Sequence, residues 1–188
     1  MWHDLLRSGK LYELLQRIDE ELCDEARRGG CDHCGGRLDA AHYSRKPRGG
    51  PNNLPVGYER RLSLCCARDG CRKRKTPTSV RFLGRKVYLG AVIVLVSALQ
   101  NGPTPKRLAR LRELLGVSRW TVARWRRWWL EDFVATVVWR AQRGRLMPPV
   151  NEAGLPGTLL ERFVGEQLDR LVAMLRFVKG VTVSEPDP

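Results

Sequence analysis

Acid, histidine and long apolar runs are all scarce in this chain of 188 residues. Asp and Glu number 20 against 34 Lys and Arg, a formal charge of +14, so a polyanionic partner is implied, either nucleic acid or an anionic membrane. Histidine occurs three times, as His3, His33 and His42, which leaves little imidazole for a catalytic metal. The longest apolar run, Val87 to Leu99, is shorter than the roughly 20 residues that span a bilayer, so it reads as a buried helix and a membrane partner is not expected. Met1-Trp2-His3-Asp4 is neither a basic leader nor the start of an apolar one, which predicts a reducing, bacterial-type cytosol. No internal repeat is visible.

Cysteine, by contrast, is present six times, and in a reducing compartment that favours metal binding over disulfides. Cys31-Asp32-His33-Cys34-Gly35-Gly36 has the form of a metal knuckle, in which glycines let backbone N–H groups approach the thiolates. Cys65-Cys66-Ala67-Arg68-Asp69-Gly70-Cys71 supplies the second half. Four soft thiolates in a tetrahedron select zinc, and a closed shell leaves no open position for catalysis. The expected ligands are Cys31, Cys34, Cys66 and Cys71, with Cys65 the rival of Cys66 because strand neighbours face opposite ways. His33 and His42 read as exposed or supporting residues rather than ligands.

Around this site the pattern consists of short extended pieces broken by Gly and Pro, with candidate strands at Arg37 to Tyr43, Tyr58 to Leu64 and Ser79 to Leu83. An exposed basic loop, Ser44 to Pro55, joins the first two. Upstream, Leu11, Leu14, Leu15, Ile18 and Leu22 predict one amphipathic helix over Leu5 to Ala26, ending at Gly29-Gly30. Downstream, Val87 to Leu99 opens a three-helix unit. Thr104 and Pro105 begin its second helix, with an apolar stripe of Leu108, Leu111, Leu114 and Leu115.

Gly116-Val117-Ser118 then hands the chain to Arg119-Trp-Thr-Val-Ala-Arg-Trp-Arg-Arg-Trp-Trp129, the layout of a helix-turn-helix recognition helix. Gly116 can take the positive φ that ends the preceding helix, and Ser118 can cap the new one. Val117, Val122, Trp125 and Trp129 form its packing stripe, while Arg119, Thr121, Arg124, Arg126 and Arg127 point elsewhere. The helix is expected to run on toward Trp139. After Met147-Pro148-Pro149, Leu160, Val164, Leu168, Leu171, Leu175 and Val178 predict a further amphipathic helix over Thr158 to Lys179, followed by a disordered tail.

Ten basic residues stand between Ser44 and Lys75 (Arg45, Lys46, Arg48, Arg60, Arg61, Arg68, Arg72, Lys73, Arg74 and Lys75) against Glu59 and Asp69 alone. Of these, Arg45, Lys46, Arg48, Arg72, Lys73 and Arg74 are the expected phosphate contacts. On the downstream helix Arg119 and Arg124 are the candidate base readers, with Ser118, Thr121, Arg126 and Arg127 completing the DNA-binding set.

Two resemblances follow from these residues. Cys31-x-x-Cys34-Gly35, Ala41-His42, Gly49-Gly50, Asn52-Asn53 and the second cysteine pair followed by Lys73 resemble the zinc-stapled His-Asn-His nucleases, which would make His42 the catalytic histidine. Ala41 stands where that motif places an acid, and Arg72 where it places its last histidine. The knuckle region, Lys75-Thr76-Pro77-Thr78-Ser79 and the downstream helix-turn-helix resemble the DNA-binding front half of insertion-sequence transposases and their accessory proteins, over roughly Cys31 to Phe133. That resemblance implies a zinc ribbon and a helix-turn-helix that together bind the ends of a mobile element. Beyond Glu131 no strand set with three carboxylates is visible, so it implies nothing about cleavage.

The expected fold is mainly α with a small zinc-stabilised β region: an amphipathic helix at 1–30, a zinc ribbon-like module at 31–84, a helix-turn-helix domain at 85–146, and a linker and amphipathic helix at 147–188. The expected function is zinc-dependent, sequence-specific DNA binding without a nuclease site, in transposition or else in transcriptional regulation. DNA and either a second copy of the chain or a catalytic transposase are the expected partners. A nuclease built on His42, and a protein that dimerises through its terminal helices, are the competing functions.

Overall fold

The computed structural model describes residues 2–45, 50–52, 54–83, 89–97, 106, 109, 112–113 and 115–182. The fold is mostly helical, with two small antiparallel sheets and a cluster of four cysteines. Two helices open it, α1 (Trp2–Arg7) and α2 (Gly9–Arg28), where the apolar spacing predicts one. The break falls at Ser8, which is extended (φ −75°, ψ 112°) and precedes a glycine, two residues poor at propagating a helix. Tyr12 donates its hydroxyl to the Leu6 carbonyl at 2.9 Å and ties the two pieces together. Leu11, Tyr12, Leu15, Ile18 and Cys23 are buried along α2, and so is Asp19.

The extended region contains β1 (Leu38–Ala40), β2 (Tyr43–Ser44), β3 (Arg60–Arg61), β4 (Leu64–Cys66) and β5 (Arg74–Lys75). One sheet has the order β1-β4-β5 and the other pairs β2 with β3, all antiparallel. Leu38 faces Cys66 and Leu64 faces Lys75, so the register delivers β4 directly into the second cysteine group. β5 lies in a stretch where no strand is predicted. Conversely, the candidate strand at Ser79 to Leu83 is not one; among the described residues it pairs only through an isolated bridge from Phe82 to Leu89.

Side chains take the place of a ladder there. The buried Asp19 carboxylate accepts from the Val80 N–H (2.7 Å), the Ser79 hydroxyl (2.5 Å) and Arg81 Nε (2.8 Å). Ser79 Oγ in turn accepts from the N–H groups of Arg81 and Phe82. The rest of the Arg81 guanidinium donates to the carbonyls of Tyr58 and Arg60, both at 2.9 Å. Asp19 and Arg81 are each 1% exposed, so this ion pair fastens α2 to the segment leaving the sheet.

A single apolar cluster then gathers Leu6 and Tyr12 from the first two helices, Val80, Phe82 and Leu83, and Val92 and Val94 of α3 (Gly90–Ser97). It continues through Val122 and Trp125 of α4 (Arg119–Arg127), Trp139 of α5 (Val137–Gln142), Leu159 of α6 (Gly157–Leu160) and Leu171, Met174 and Leu175 of α7 (Gln167–Val178). Gly90 permits this packing: a Cβ there would meet the Val80 carbonyl at 2.9 Å and Leu175 Cδ2 at 3.0 Å. Lys106, Ala109, Arg112, Glu113 and Leu115 are helical and Leu115 is buried. The predicted start at Thr104-Pro105 and the stripe positions Leu108, Leu111 and Leu114 lie outside the described residues, as do the tail and the flanks of Val87 to Leu99.

Two further expectations are corrected. α4 does not continue unbroken to Trp139. It passes into a π-helical turn, Trp128–Phe133, and stops at Thr136, whose hydroxyl oxygen accepts from the Trp139 N–H at 3.1 Å and starts α5. The C-terminal stripe is likewise two helices, because Gly165 (φ 105°) turns the chain and Glu166 with Asp169 forms a capping box that restarts it. Val164, placed on the stripe by spacing alone, is 91% exposed.

Candidate functional site

Cys31, Cys34, Cys66 and Cys71 converge so that their sulfur atoms all lie within 4.8 Å of one another. Cys31 Sγ is 3.8 Å from Cys71 Sγ, and Cys34 Sγ is 3.5 Å from Cys66 Sγ. A disulfide requires about 2.0 Å. A tetrahedron with zinc–sulfur bonds of about 2.3 Å has edges of about 3.8 Å, so the donor set and its spacing fit a bound metal ion such as zinc.

Local sequence explains the convergence. Gly30 (φ 71°) and Gly35 (φ 67°) supply the left-handed backbone that folds the first knuckle, closed by Cys31 N–H to the Gly36 carbonyl at 2.9 Å and Gly35 N–H to the Cys31 carbonyl at 2.8 Å. A Cβ on Gly36 would press on Cys66 Sγ at 3.2 Å and Cys34 Sγ at 3.3 Å, so position 36 must stay small for the two halves to close. In the second half Gly70 (φ 82°) and Arg72 (φ 46°) turn the chain around Cys71.

Backbone N–H groups two residues on donate to three of the sulfurs: Gly36 to Cys34, Arg68 to Cys66 and Lys73 to Cys71. The Gly36 bond, with help from the neighbouring thiols, lowers Cys34 to about 7. At Cys66 the Arg68 bond favours the thiolate, but burial and the surrounding sulfurs outweigh it and push the thiol up to about 12. Cys71 is raised by the same balance, its bond from the Lys73 N–H being outweighed by burial and neighbouring sulfur. Four like groups this close resist joint ionisation until a cation neutralises them.

Cys65 stands outside the cluster. Its thiol donates to the Arg72 carbonyl at 3.3 Å, on the opposite side of β4 from Cys66. His33 is exposed. His42 Nδ1 lies 3.1 Å from the Ser63 N–H and 3.0 Å from its carbonyl, and the ring borders a cleft of about 430 Å³. Gln16, Glu20 and Asp24, from one face of α2, also line it, as do Arg60 and Arg81. Among the described residues the four cysteines are the only group of three or more histidine, cysteine or acidic side chains close enough to share an ion.

The basic residues divide into two sets. Arg61 is buried, and its guanidinium donates to the carbonyls of Leu62 and Pro77, with burial lowering its pKa. Lys75 donates to the Gly30 carbonyl (3.1 Å) and Asp32 (2.6 Å), linking β5 to the first knuckle. These two hold the fold together, which their place in a charge run does not reveal. Arg60, Arg68, Arg72, Lys73 and Arg74 are exposed and Arg45 is half-buried. Arg45 and Arg74 both lie over the Tyr43 ring, at 5.5 and 5.8 Å. Lys46 and Arg48 lie outside the described residues.

On α4, Gly116 has φ 62° and Ser118 Oγ accepts from the Thr121 N–H at 3.2 Å, so both ends of the turn are set by their own residues. Val117, Val122, Trp125 and Trp129 are buried. Arg119, Ala123, Arg124, Arg126 and Arg127 are exposed, while Thr121 is half-buried beside its cap. Trp120 is 72% exposed, and the Arg119 guanidinium lies over its ring at 4.8 Å. The charge pattern marks the arginines; it leaves Trp120 undecided between core and surface.

Comparison of the chain with protein-family models, with curated proteins and with solved structures found no match.

Proposed function

We propose that this chain is a metal-stapled, sequence-specific DNA-binding protein in which α4 reads bases and the cysteine-bearing module adds affinity for the backbone. The observation that carries the reading is the division of α4: a buried stripe of Val122, Trp125 and Trp129 on one side, and Arg119, Arg124, Arg126 and Arg127 exposed on the other, with the helix start fixed by the Ser118 cap. Arginine offers two parallel donors to the edge of guanine, and a helix of this width fits the major groove. Arg45, Arg72, Lys73 and Arg74 present a second cationic surface suited to phosphates.

The resemblance to the front half of insertion-sequence transposases supplies the context: binding the ends of a mobile element, with cleavage left to a separate catalytic partner. Zinc is the metal that best fits four thiolates, and in this reading its role is structural. The test is selection of bound sequences from a random duplex pool, followed by salt titration. A recovered consensus is expected, with Arg119→Ala and Arg124→Ala losing affinity for that consensus more than for random duplex. Equal losses on both would refute base reading by α4. Plasmid nicking in magnesium or manganese, abolished by His42→Ala, would replace the reading with a nuclease.

A further inference from the structure

Successive helical residues turn by about 100°, which places Arg126, Arg119, Ala123, Arg127, Trp120 and Arg124 in that order around the outer half of α4. Trp120 therefore sits inside the arginine array rather than beside it. Of the tryptophans that follow, Trp128 is half-buried and Trp125, Trp129 and Trp139 are at most 1% exposed, so the chain has a core that accepts indoles and leaves Trp120 in water. Ala123, one turn further on, is too small to cover it, and the guanidinium of Arg119 lies over its ring at 4.8 Å. Thr121, on the next position, is turned back toward the Ser118 cap. The result is a flat π surface with a cation on it, bordered by further cations.

A partner that matches this surface is anionic and offers flat π faces. A protein partner with acidic side chains satisfies the charge alone, and a continuous duplex hides its base faces within the stack. Nucleic acid with an unstacked base satisfies both requirements, since its base can lie on the indole while flanking phosphates meet the arginines. We infer that Trp120 is a stacking platform and that α4 binds DNA with an unpaired or unstacked base in preference to a continuous duplex. This rests on the DNA-binding reading above and specifies the form of DNA that it takes.

The experiment is fluorescence anisotropy at fixed salt with zinc-loaded full-length protein. The probes are a short mixed-sequence duplex, the same duplex with one end left unpaired, the corresponding single strand, and the RNA version of that strand. Base stacking on an aromatic side chain corresponds to a factor of about 5 to 150 in affinity. Wild type is expected to bind the unpaired-end probe more tightly than the duplex, and Trp120→Ala to lose about that factor more on the unpaired-end probe than on the duplex. Trp120→Phe should regain part of the loss, and unchanged far-UV circular dichroism of both variants would assign the change to the surface. Titration of wild type should also quench exposed-indole emission, a signal missing in Trp120→Phe. Equal losses on both DNA probes, no loss, or tighter binding of the RNA strand would overturn the stacking proposal while leaving salt-sensitive DNA binding in place. Failure of wild type to bind any DNA probe would overturn the DNA-binding reading itself.

Discussion

Replacing Asp19 by alanine removes one carboxylate that three donors share. Arg81, 1% exposed, would keep its bonds to the carbonyls of Tyr58 and Arg60 but lose its counter-charge, and the Val80 N–H would lose its acceptor. Stranding a buried charge costs about 3–5 kcal/mol, and a buried donor left without an acceptor about 1–3 kcal/mol. The two overlap because the same relaxation relieves both, so the expected loss is about 4–6 kcal/mol. Against a total stability of about 5–15 kcal/mol for a domain, that is a large share. Urea unfolding of zinc-loaded protein, followed by tryptophan fluorescence and far-UV circular dichroism, measures it from the midpoint at constant slope. Asp19→Leu combined with Arg81→Met should recover part of the loss, since no charge is then buried; recovery stays incomplete because two carbonyls lose their donor. The buried pair is also shielded from ions, so the loss should vary little with salt. A loss below about 1 kcal/mol for Asp19→Ala would refute the argument that this pair fastens α2 to the segment after the sheet.

Three further outcomes follow from the site. Cys66→Ser should abolish tight zinc binding, whereas Cys65→Ser should leave it within about twofold, because Cys65 only donates to a carbonyl; competition with a chromophoric chelator distinguishes them. Cys66 and Cys71 are raised above their ordinary values and so hold protons at neutral pH, which zinc must displace. Apparent affinity should therefore fall at least about 100-fold from pH 8 to pH 7, tenfold for each of these two protons, and a pH-independent affinity would contradict these protonation states. Ser118→Ala, which removes the acceptor for the Thr121 N–H, should cost about 1 kcal/mol in urea unfolding, while Ser118→Asp should cost less.

Features encoded within a few residues were the readable ones. The Gly116 turn, the Ser118 cap and the buried stripe of α4 each follow from a residue type acting on its immediate neighbours, as do the glycines of the first knuckle. The strands are two or three residues long, too short for alternation to locate, and their pairing is set by closure of the cysteine cluster. Ser79 to Leu83 has the composition of a strand, but its polar groups are satisfied by Asp19, 60 and more residues away in sequence. No local pattern marks Asp19, which sits one position from Ile18 on an ordinary amphipathic stripe. Helical spacing likewise continues through Val164, although the helix has already ended at Leu160 and Gly165 turns the chain before α7.

The same long-range contacts determine how metal binding reaches α4. The cluster beside the metal site contains Cys23, Cys31, Leu38, Leu62, Leu64 and Cys66, and two of these are candidate ligands. A core that small offsets little of the entropy of ordering the cysteine turns at 31–36 and 66–73, so a metal ion held by the four thiolates would couple its binding to the folding of those turns. The 31–83 segment is attached to the helices through Cys23 and Asp19 on α2, among others, and through Tyr58, Val80, Phe82 and Leu83 in the shared core. Gly90 packs against Val80, and α3 packs against α4. Loss of a bound metal would therefore loosen the segment that supports α3 and, through it, α4. Zinc removal should reduce DNA affinity even for contacts made by Arg119 and Arg124, which lie on a different element from the cysteines, and a chelated protein that retained full affinity would show that α4 is held by the helices alone.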